Sequence, residues 1–293
     1  MAAKKCISSV FRPGLFLGKT AIVTGGGTGI GQGITRELLH LGCNVMIASR
    51  KLERLTVAAE EMRSELQADN PAKLETVQCN IRNEAQIKDL MSKTVDTFGK
   101  IDFLVNNGGG QFMAPAEDIS TKGFHAVIET NLYGTFMCCR EAFHSSMKDH
   151  GGAIVNILVD MWRGFPTMSP SGAARAGVEN LIKSFALEWA KYGIRINGVA
   201  PGSSIYSDTA AANYGEWKVF DLQVKRLPTK RLGTVEEVSA AVLFLLSPAA
   251  SFISGETIKV DGAQSLYNTS QPYDIPDHSK LPAYTWEGDS QGP

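Results

Sequence analysis

The stretch Thr24-Gly25-Gly26-Gly27-Thr28-Gly29-Ile30-Gly31 decides the fold. It follows an apolar run at 20–24 and opens a helical pattern at 31–41 that Gly42 closes. Glycines in such a turn allow positive φ and let a ligand approach the backbone closely. The helix behind them offers free N–H groups and a partial positive charge, which suit a pyrophosphate. A second apolar run at 44–49 stands at the right distance for a strand–helix–strand unit that holds a dinucleotide.

Working outward, further strand patterns fall at 74–79, 102–106, 153–158, 195–199 and 257–260. Most are continuously apolar, as in parallel strands buried on both faces. Helical patterns lie between them at 52–67, 84–98, 125–147, 172–192 and 235–246. This alternation predicts an α/β fold: a single doubly wound parallel sheet of about seven strands with helices on both faces. The reading divides the chain into an N-terminal arm (1–16), one domain (17–263) and a polar, proline-bearing C-terminal tail (264–293) that lies on the surface or is disordered.

The whole composition agrees. The chain has 293 residues, 43% hydrophobic and 20% charged, with a net charge of −1. That is too apolar for a disordered chain and carries no electrostatic footprint for nucleic acid. No apolar run is long enough to span a membrane. Cys6, Cys43, Cys79, Cys138 and Cys139 show no CxxC spacing, which suggests reduced thiols in an intracellular compartment. The five histidines lack ligand spacing, so no metal site is expected. Lys4, Lys5, Arg12 and Lys19 precede the first acidic residue, Glu37; they read as a short basic arm, with a transit segment as the alternative.

At the end of the second strand stand Ser49, Arg50 and Lys51. A carboxylate here would hold a ribose 2′-hydroxyl and repel a 2′-phosphate. Arg50 can grip that phosphate, so NADPH is the expected cofactor.

The glycine motif Thr24-Gly-x-x-x-Gly-x-Gly31, the run Asn106-Asn107-Gly108-Gly109, the helix asparagine Asn131, the pair Pro201-Gly202 and the ending Val260-Asp261-Gly262 resemble the short-chain dehydrogenase/reductase family, in order, over roughly 17–263. The resemblance implies a Rossmann-type domain. It assigns Gly25, Thr28, Gly29, Ile30 and Gly31 to the pyrophosphate, Asn80 to the adenine, and Asn107 and Gly108 to the adenosine ribose. It also implies a homo-oligomer, by family habit a tetramer, built on the helices at 125–147 and 172–192, and a substrate lid at 203–232.

The family's catalytic Tyr-x-x-x-Lys reads Ser171-x-x-x-Arg175 here, and the serine usual in the strand before it is replaced by Ile157-Leu158-Val159. A ketone reductase must protonate a strongly basic alkoxide. Reduction of a C=C bond conjugated to a thioester instead spreads charge onto the thioester oxygen, where fixed donors can stabilise it. The chemistry, and a resemblance to the family's enoyl-CoA and dienoyl-CoA reductases, point to an acyl-CoA substrate. The first reading is reduction of the C2=C3 bond of a trans-2-enoyl-CoA to the saturated acyl-CoA, in fatty acid chain elongation. Reduction of a 2,4-dienoyl-CoA or a carbonyl, and cofactor binding without catalysis, stay open.

On this reading Arg175 bonds the nicotinamide ribose and adds positive potential. Ser171 donates to the thioester carbonyl, Asn131 holds a water or orients Arg175, and Tyr206 is a candidate proton donor. Gln111 and Phe112 floor the acyl pocket, while lid aromatics Tyr206, Tyr214, Trp217 and Phe220 suit an acyl chain. Lys218, Lys225, Arg226, Lys230 and Arg231 suit coenzyme A phosphates or form a solvated face. Glu179-x-x-x-Lys183 reads as an outer ion pair. The resemblance implies a peroxisome, although the ending Ser290-Gln291-Gly292-Pro293 is not a peroxisomal tripeptide; the alternative is the cytoplasm.

Overall fold

In the computed structural model, which describes residues 7–214, 219–267 and 274–286, seven parallel strands form one sheet in the order β3-β2-β1-β4-β5-β6-β7. They are β1 Thr20–Thr24, β2 Asn44–Ser49, β3 Leu74–Gln78, β4 Phe103–Asn106, β5 Gly152–Ile157, β6 Ile194–Pro201 and β7 Thr257–Val260. The chain order reverses beside β1, so the crevice between the carboxyl ends of β1 and β4 is where such a sheet takes a ligand.

Successive strand residues face opposite layers. Val23, Val45, Ile47, Val105, Val155 and Val199 pack under α1 (Gly29–His40), α2 (Leu52–Glu65) and α10 (Val235–Leu246). Ile22, Met46, Leu104, Ile154 and Ile196 pack under α3 (Glu84–Phe98), α5 (Gly134–Ala142) and α7 (Ser169–Trp189). Gly42, at φ +87°, ends α1 in the predicted way: its N–H reaches Leu39 O at 3.0 Å, and that of Cys43 reaches Leu38 O at 3.0 Å.

The helix expected at 125–147 begins earlier, as α4 (Thr121–Ile128), because the Ser120 hydroxyl caps Gly123 N at 3.1 Å. It then passes through two π-turns, Glu129–Tyr133 and Phe143–Met147, on either side of α5, before ending in α6 (Lys148–His150). The segment 203–232, expected as a lid, carries α8 (Asp208–Tyr214) and α9 (Val219–Arg226).

The described part of the tail, 274–286, does more than lie on the surface. Tyr284 Oη donates to Glu37 Oε1 at 3.2 Å, and Trp286 is buried. Glu37, in the middle of α1, also accepts from Ser9 at 2.7 Å and Ser239 at 2.5 Å. Arm, tail, α1 and α10 therefore meet on one carboxyl. Burial raises its pKa above the ordinary carboxylate value, against the pull of the hydroxyl donors. A carboxyl that holds its proton more tightly folded than unfolded favours the fold on the acid side. That stability is lost as pH rises from the ordinary value through the raised one. Glu37→Gln does not titrate, so its melting temperature should gain on that of the wild type as pH rises through this window. A difference that stays constant across the window would refute the assignment.

Candidate active site

The glycine loop is held from three sides. Gly25 N donates to Ala48 O at 2.7 Å, Thr35 Oγ1 to Gly31 O at 2.8 Å, and Asn107 Nδ2 to Thr24 O at 3.0 Å and Gly25 O at 3.2 Å. Thr24 Oγ1 in turn accepts from Asn107 N and Gly108 N at 3.1 and 2.9 Å. These bonds bring the ends of β1 and β4 together. Thr28 caps α1 in an extended conformation without a side-chain bond, and no acidic residue occupies the first turn. The amides at the start of the helix are thus left to an anion. A Cβ on Gly31 would collide with Gly25 O and Asn107 Nδ2, and one on Gly26 with Ile47, so only glycine fits either position.

Beside the loop, Ser49, Arg50, Lys51 and Arg54 line a cavity of about 200 Å³ with Gly25, Gly27 and Thr28. Among the described residues, three cations and no carboxylate line it. Arg54 was not singled out from the sequence, although it stands one helical turn beyond Arg50.

The main cleft, about 690 Å³, runs from Thr28, Ile30 and Arg50 past Asn107 and Gln111 to Asn131, Ser171 and Arg175. Among the described residues, its lining includes no Tyr, Lys, His, Cys, Asp or Glu. Arg175 is 6% exposed, and burial pulls its pKa down to about 10, so it stays cationic at neutral pH. Its Nη2 donates to Asn131 Oδ1 at 3.2 Å, while Nε and Nη1 have no partner among the described residues. A buried cation with two unpaired donors is costly unless a ligand meets them. A Cβ on Gly109 would strike both Arg175 Nη2 and Asn131 Oδ1, so glycine there leaves room for the guanidinium.

Asn131 lies in the first π-turn of the α4–α5 rod. Its amide grips Gly110 twice, Nδ2 donating to Gly110 O at 2.7 Å and Oδ1 accepting from Gly110 N at 3.1 Å. The same Oδ1 accepts from Arg175 Nη2. Ser171 is buried, and its Oγ already donates to Gln111 Oε1 at 2.8 Å. The expected donation from Ser171 to a thioester carbonyl thus meets a proton already committed. Together these contacts fit a nicotinamide dinucleotide: uncapped helix amides for the pyrophosphate at one end, and a cleft that continues to Asn131, Ser171 and Arg175 at the other.

Other expectations are displaced. Tyr206 does not line this cleft; its Oη donates to Asp208 Oδ1 at 3.4 Å, and its ring packs edge-on against Phe220 at 5.3 Å. It borders a separate cavity with Gln32, Arg36 and Trp286, because the lid turns its side chain outward. Asn80 stands in the turn into α3, where its Oδ1 accepts from Arg82 N at 3.2 Å, a bond in which its amide nitrogen takes no part. Arg231 is bound to Glu237 at 3.0 and 2.6 Å and to the tail carbonyls of Leu281 and Pro282, which removes it from any phosphate-binding set. The side chains of Tyr214, Trp217 and Lys218 lie outside the described residues. Glu179 and Lys183 form the outer ion pair as read, at 3.0 Å.

Residues 25–263 match the family model described as "Enoyl-(Acyl carrier protein) reductase". The chain is 36% identical over 251 residues to a probable 2,4-dienoyl-CoA reductase of Bacillus subtilis (strain 168), covering 85% of this chain and 97% of that protein. It is 34% identical to the peroxisomal 2,4-dienoyl-CoA reductase of Rattus norvegicus, over 88% of each. Among solved structures, the citronellol catabolism dehydrogenase (AtuB) of Pseudomonas aeruginosa PAO1 superimposes with a TM-score of 0.77 at 44% identity, covering 88% of this chain and 99% of that one.

Proposed function

Since the chain belongs to the short-chain dehydrogenase/reductase family and is an oxidoreductase of enoyl-CoA reductase type, we propose that it reduces the C2=C3 bond of a trans-2-enoyl-CoA with NADPH. One observation carries the reading: the cleft holds a buried arginine with two donors left unpaired and, among the described residues, no phenol beside it. Bound NADPH supplies a hydride. Arg175 offers fixed donors to the thioester oxygen as charge accumulates there, in a site that Phe112, Met113, Ile157 and Val159 help keep apolar. Asn131 holds the guanidinium in place. Hydride goes to Cβ and the enolate takes its proton at Cα from solvent water, whereas a ketone would need one at a far more basic alkoxide, and among the described residues the lining includes no acid suited to give it near neutrality.

The names of the relatives favour a second reading, reduction of a 2,4-dienoyl-CoA. NADPH oxidation, followed by absorbance with a trans-2-enoyl-CoA, a 2,4-dienoyl-CoA and a ketone, separates the possibilities. Turnover of the first supports the proposal; turnover of the dienoyl-CoA alone transfers it to the second reading. Turnover of the ketone alone sinks both, and binding without turnover leaves a cofactor-binding protein.

NADPH preference is proposed from the cations around the small cavity. Arg50→Asp is expected to raise the Kd for NADPH about tenfold or more relative to NADH, and Arg54→Ala to do so by a smaller factor. Unchanged preference in both variants would remove the 2′-phosphate from that cavity. A homo-oligomer, by family habit a tetramer, belongs to the same proposal and is supported by exposed Tyr133 and Leu187 on the expected helices. A monomer in sedimentation would refute it. Peroxisomal residence rests on the rat relative's name, and cell fractionation tests it.

A further inference from the structure

We propose that Gln111 is a positioning residue that sets the direction of the Ser171 hydroxyl; the inference rests on the reductase reading above. Between Ser171 Oγ and Gln111 Oε1, 2.8 Å apart, only the hydroxyl carries a proton. Ser171 has one proton to give, and the amide oxygen takes it. What Ser171 then turns toward the cleft that both residues line is a lone pair. In that state it accepts, from a ribose hydroxyl or a water, and cannot donate to an enolate oxygen. The donor role is left to Arg175, one turn further along α7.

The mounting of Gln111 is rigid on both sides. Upstream, Gly110 is gripped through its N–H and its carbonyl by the Asn131 amide. Downstream, Ala114 N donates to Thr167 O at 2.9 Å, just before α7 begins. The Gln111 side chain spans from this stapled loop to α7. Ser171 is 2% exposed, so its hydroxyl must find a partner inside the site. Without Gln111 it would turn its proton toward the cleft and compete with Arg175 for the substrate oxygen in a different geometry. A mere wall of the acyl pocket would behave otherwise, since it would act on the binding of long chains and independently of Ser171.

The test is a double-mutant cycle. Gln111→Met keeps the length of the side chain and removes the acceptor. NADPH oxidation is measured with a short and a long trans-2-enoyl-CoA for the wild type, Q111M, S171A and the double variant. Each single variant is expected to lose about tenfold in kcat at unchanged KM for either chain. The double variant should also lose about tenfold, not about a hundredfold. Effects that multiply, or a rise in KM confined to the long chain, overturn the inference.

A second readout needs no turnover. The side-chain amide resonances of Gln111, assigned by their loss in Q111M, should move in S171A, and an unmoved pair overturns the contact. If no CoA ester is turned over by the wild type, the reductase reading fails while the spectrum still decides the Gln111 contact.

Discussion

Arg175→Met should lower kcat/KM for the CoA ester by about a hundredfold to a thousandfold, the scale of losing a fixed donor from a site that stabilises developing charge. The guanidinium is 6% exposed, holds one bond to Asn131, and keeps Nε and Nη1 unpaired. Methionine fills similar space without the cation. The folded chain carries the cost of that buried charge, since burial pulls the pKa well below the ordinary arginine value, to about 10. The sign follows from that depression: the unfolded arginine holds its proton more tightly, so the charged native form is penalised throughout the neutral range and the penalty eases only as pH rises past about 10. Removing the charge should therefore leave the melting temperature unchanged or higher while activity falls. In the wild type the guanidinium should impose no basic limb on the pH profile below about 10. Arg175→Lys keeps the charge on a shorter arm, and a loss of about tenfold is expected because the ammonium cannot offer two fixed donors from the same place. Unchanged kcat/KM in Arg175→Met would take Arg175 out of the chemistry.

Much of this arrangement is legible in the sequence because its causes are local. Continuously apolar strands set the sheet, and β1, β2 and β7 fall on their expected bounds. The glycine loop announces its own geometry, since only glycine fits where Gly26 and Gly31 pass other atoms. Ser171 and Arg175 stand four apart on a helix and so face the same way. The features that were not legible depend on distant partners. The π-turn that carries Asn131 to Gly110 spans only five residues, too few to stand out from the helical pattern at 125–147. The bond between Gln111 and Ser171 joins residues sixty apart, and that between Tyr284 and Glu37 closes across nearly the whole chain. Tyr206 shows the opposite failure. Its place after Pro201-Gly202 put it near the site, but nothing local fixes which way a lid side chain turns. Arg231 reads from the sequence as a phosphate ligand or part of a solvated face, because its partner Glu237 belongs to the capping box of the following helix, where Thr234 caps Glu237 N at 3.2 Å.

The glycine loop itself gives the second large effect. Gly31→Ala is expected to raise the dinucleotide Kd by more than about a hundredfold and to cost about 1–3 kcal/mol of stability, the usual range for forcing a methyl into filled space. The methyl would collide with the carbonyl of Gly25 and with Asn107 Nδ2, which are backbone and a clamped amide, not the free end of a flexible chain. Relief requires α1 to back away from β1. That movement would break the bonds from Asn107 to Thr24 and Gly25 and withdraw the uncapped helix amides from the pyrophosphate. Gly33→Ala is the matched control on the same helix. Its methyl would meet Val235 Cγ2 at 3.2 Å, a side chain of α10 that can give way, and it lies on the far side from the Asn107 clamp. A titration of NADPH fluorescence and a thermal melt read the two variants together. If overpacking alone mattered, both would lose stability and neither would lose the cofactor selectively. Loss of binding in Gly31→Ala beyond what its melt explains, with Gly33→Ala binding nearly as the wild type does, locates the effect in the loop. Equal affinities in the two variants would mean that the loop's glycines serve packing and that the dinucleotide is held elsewhere.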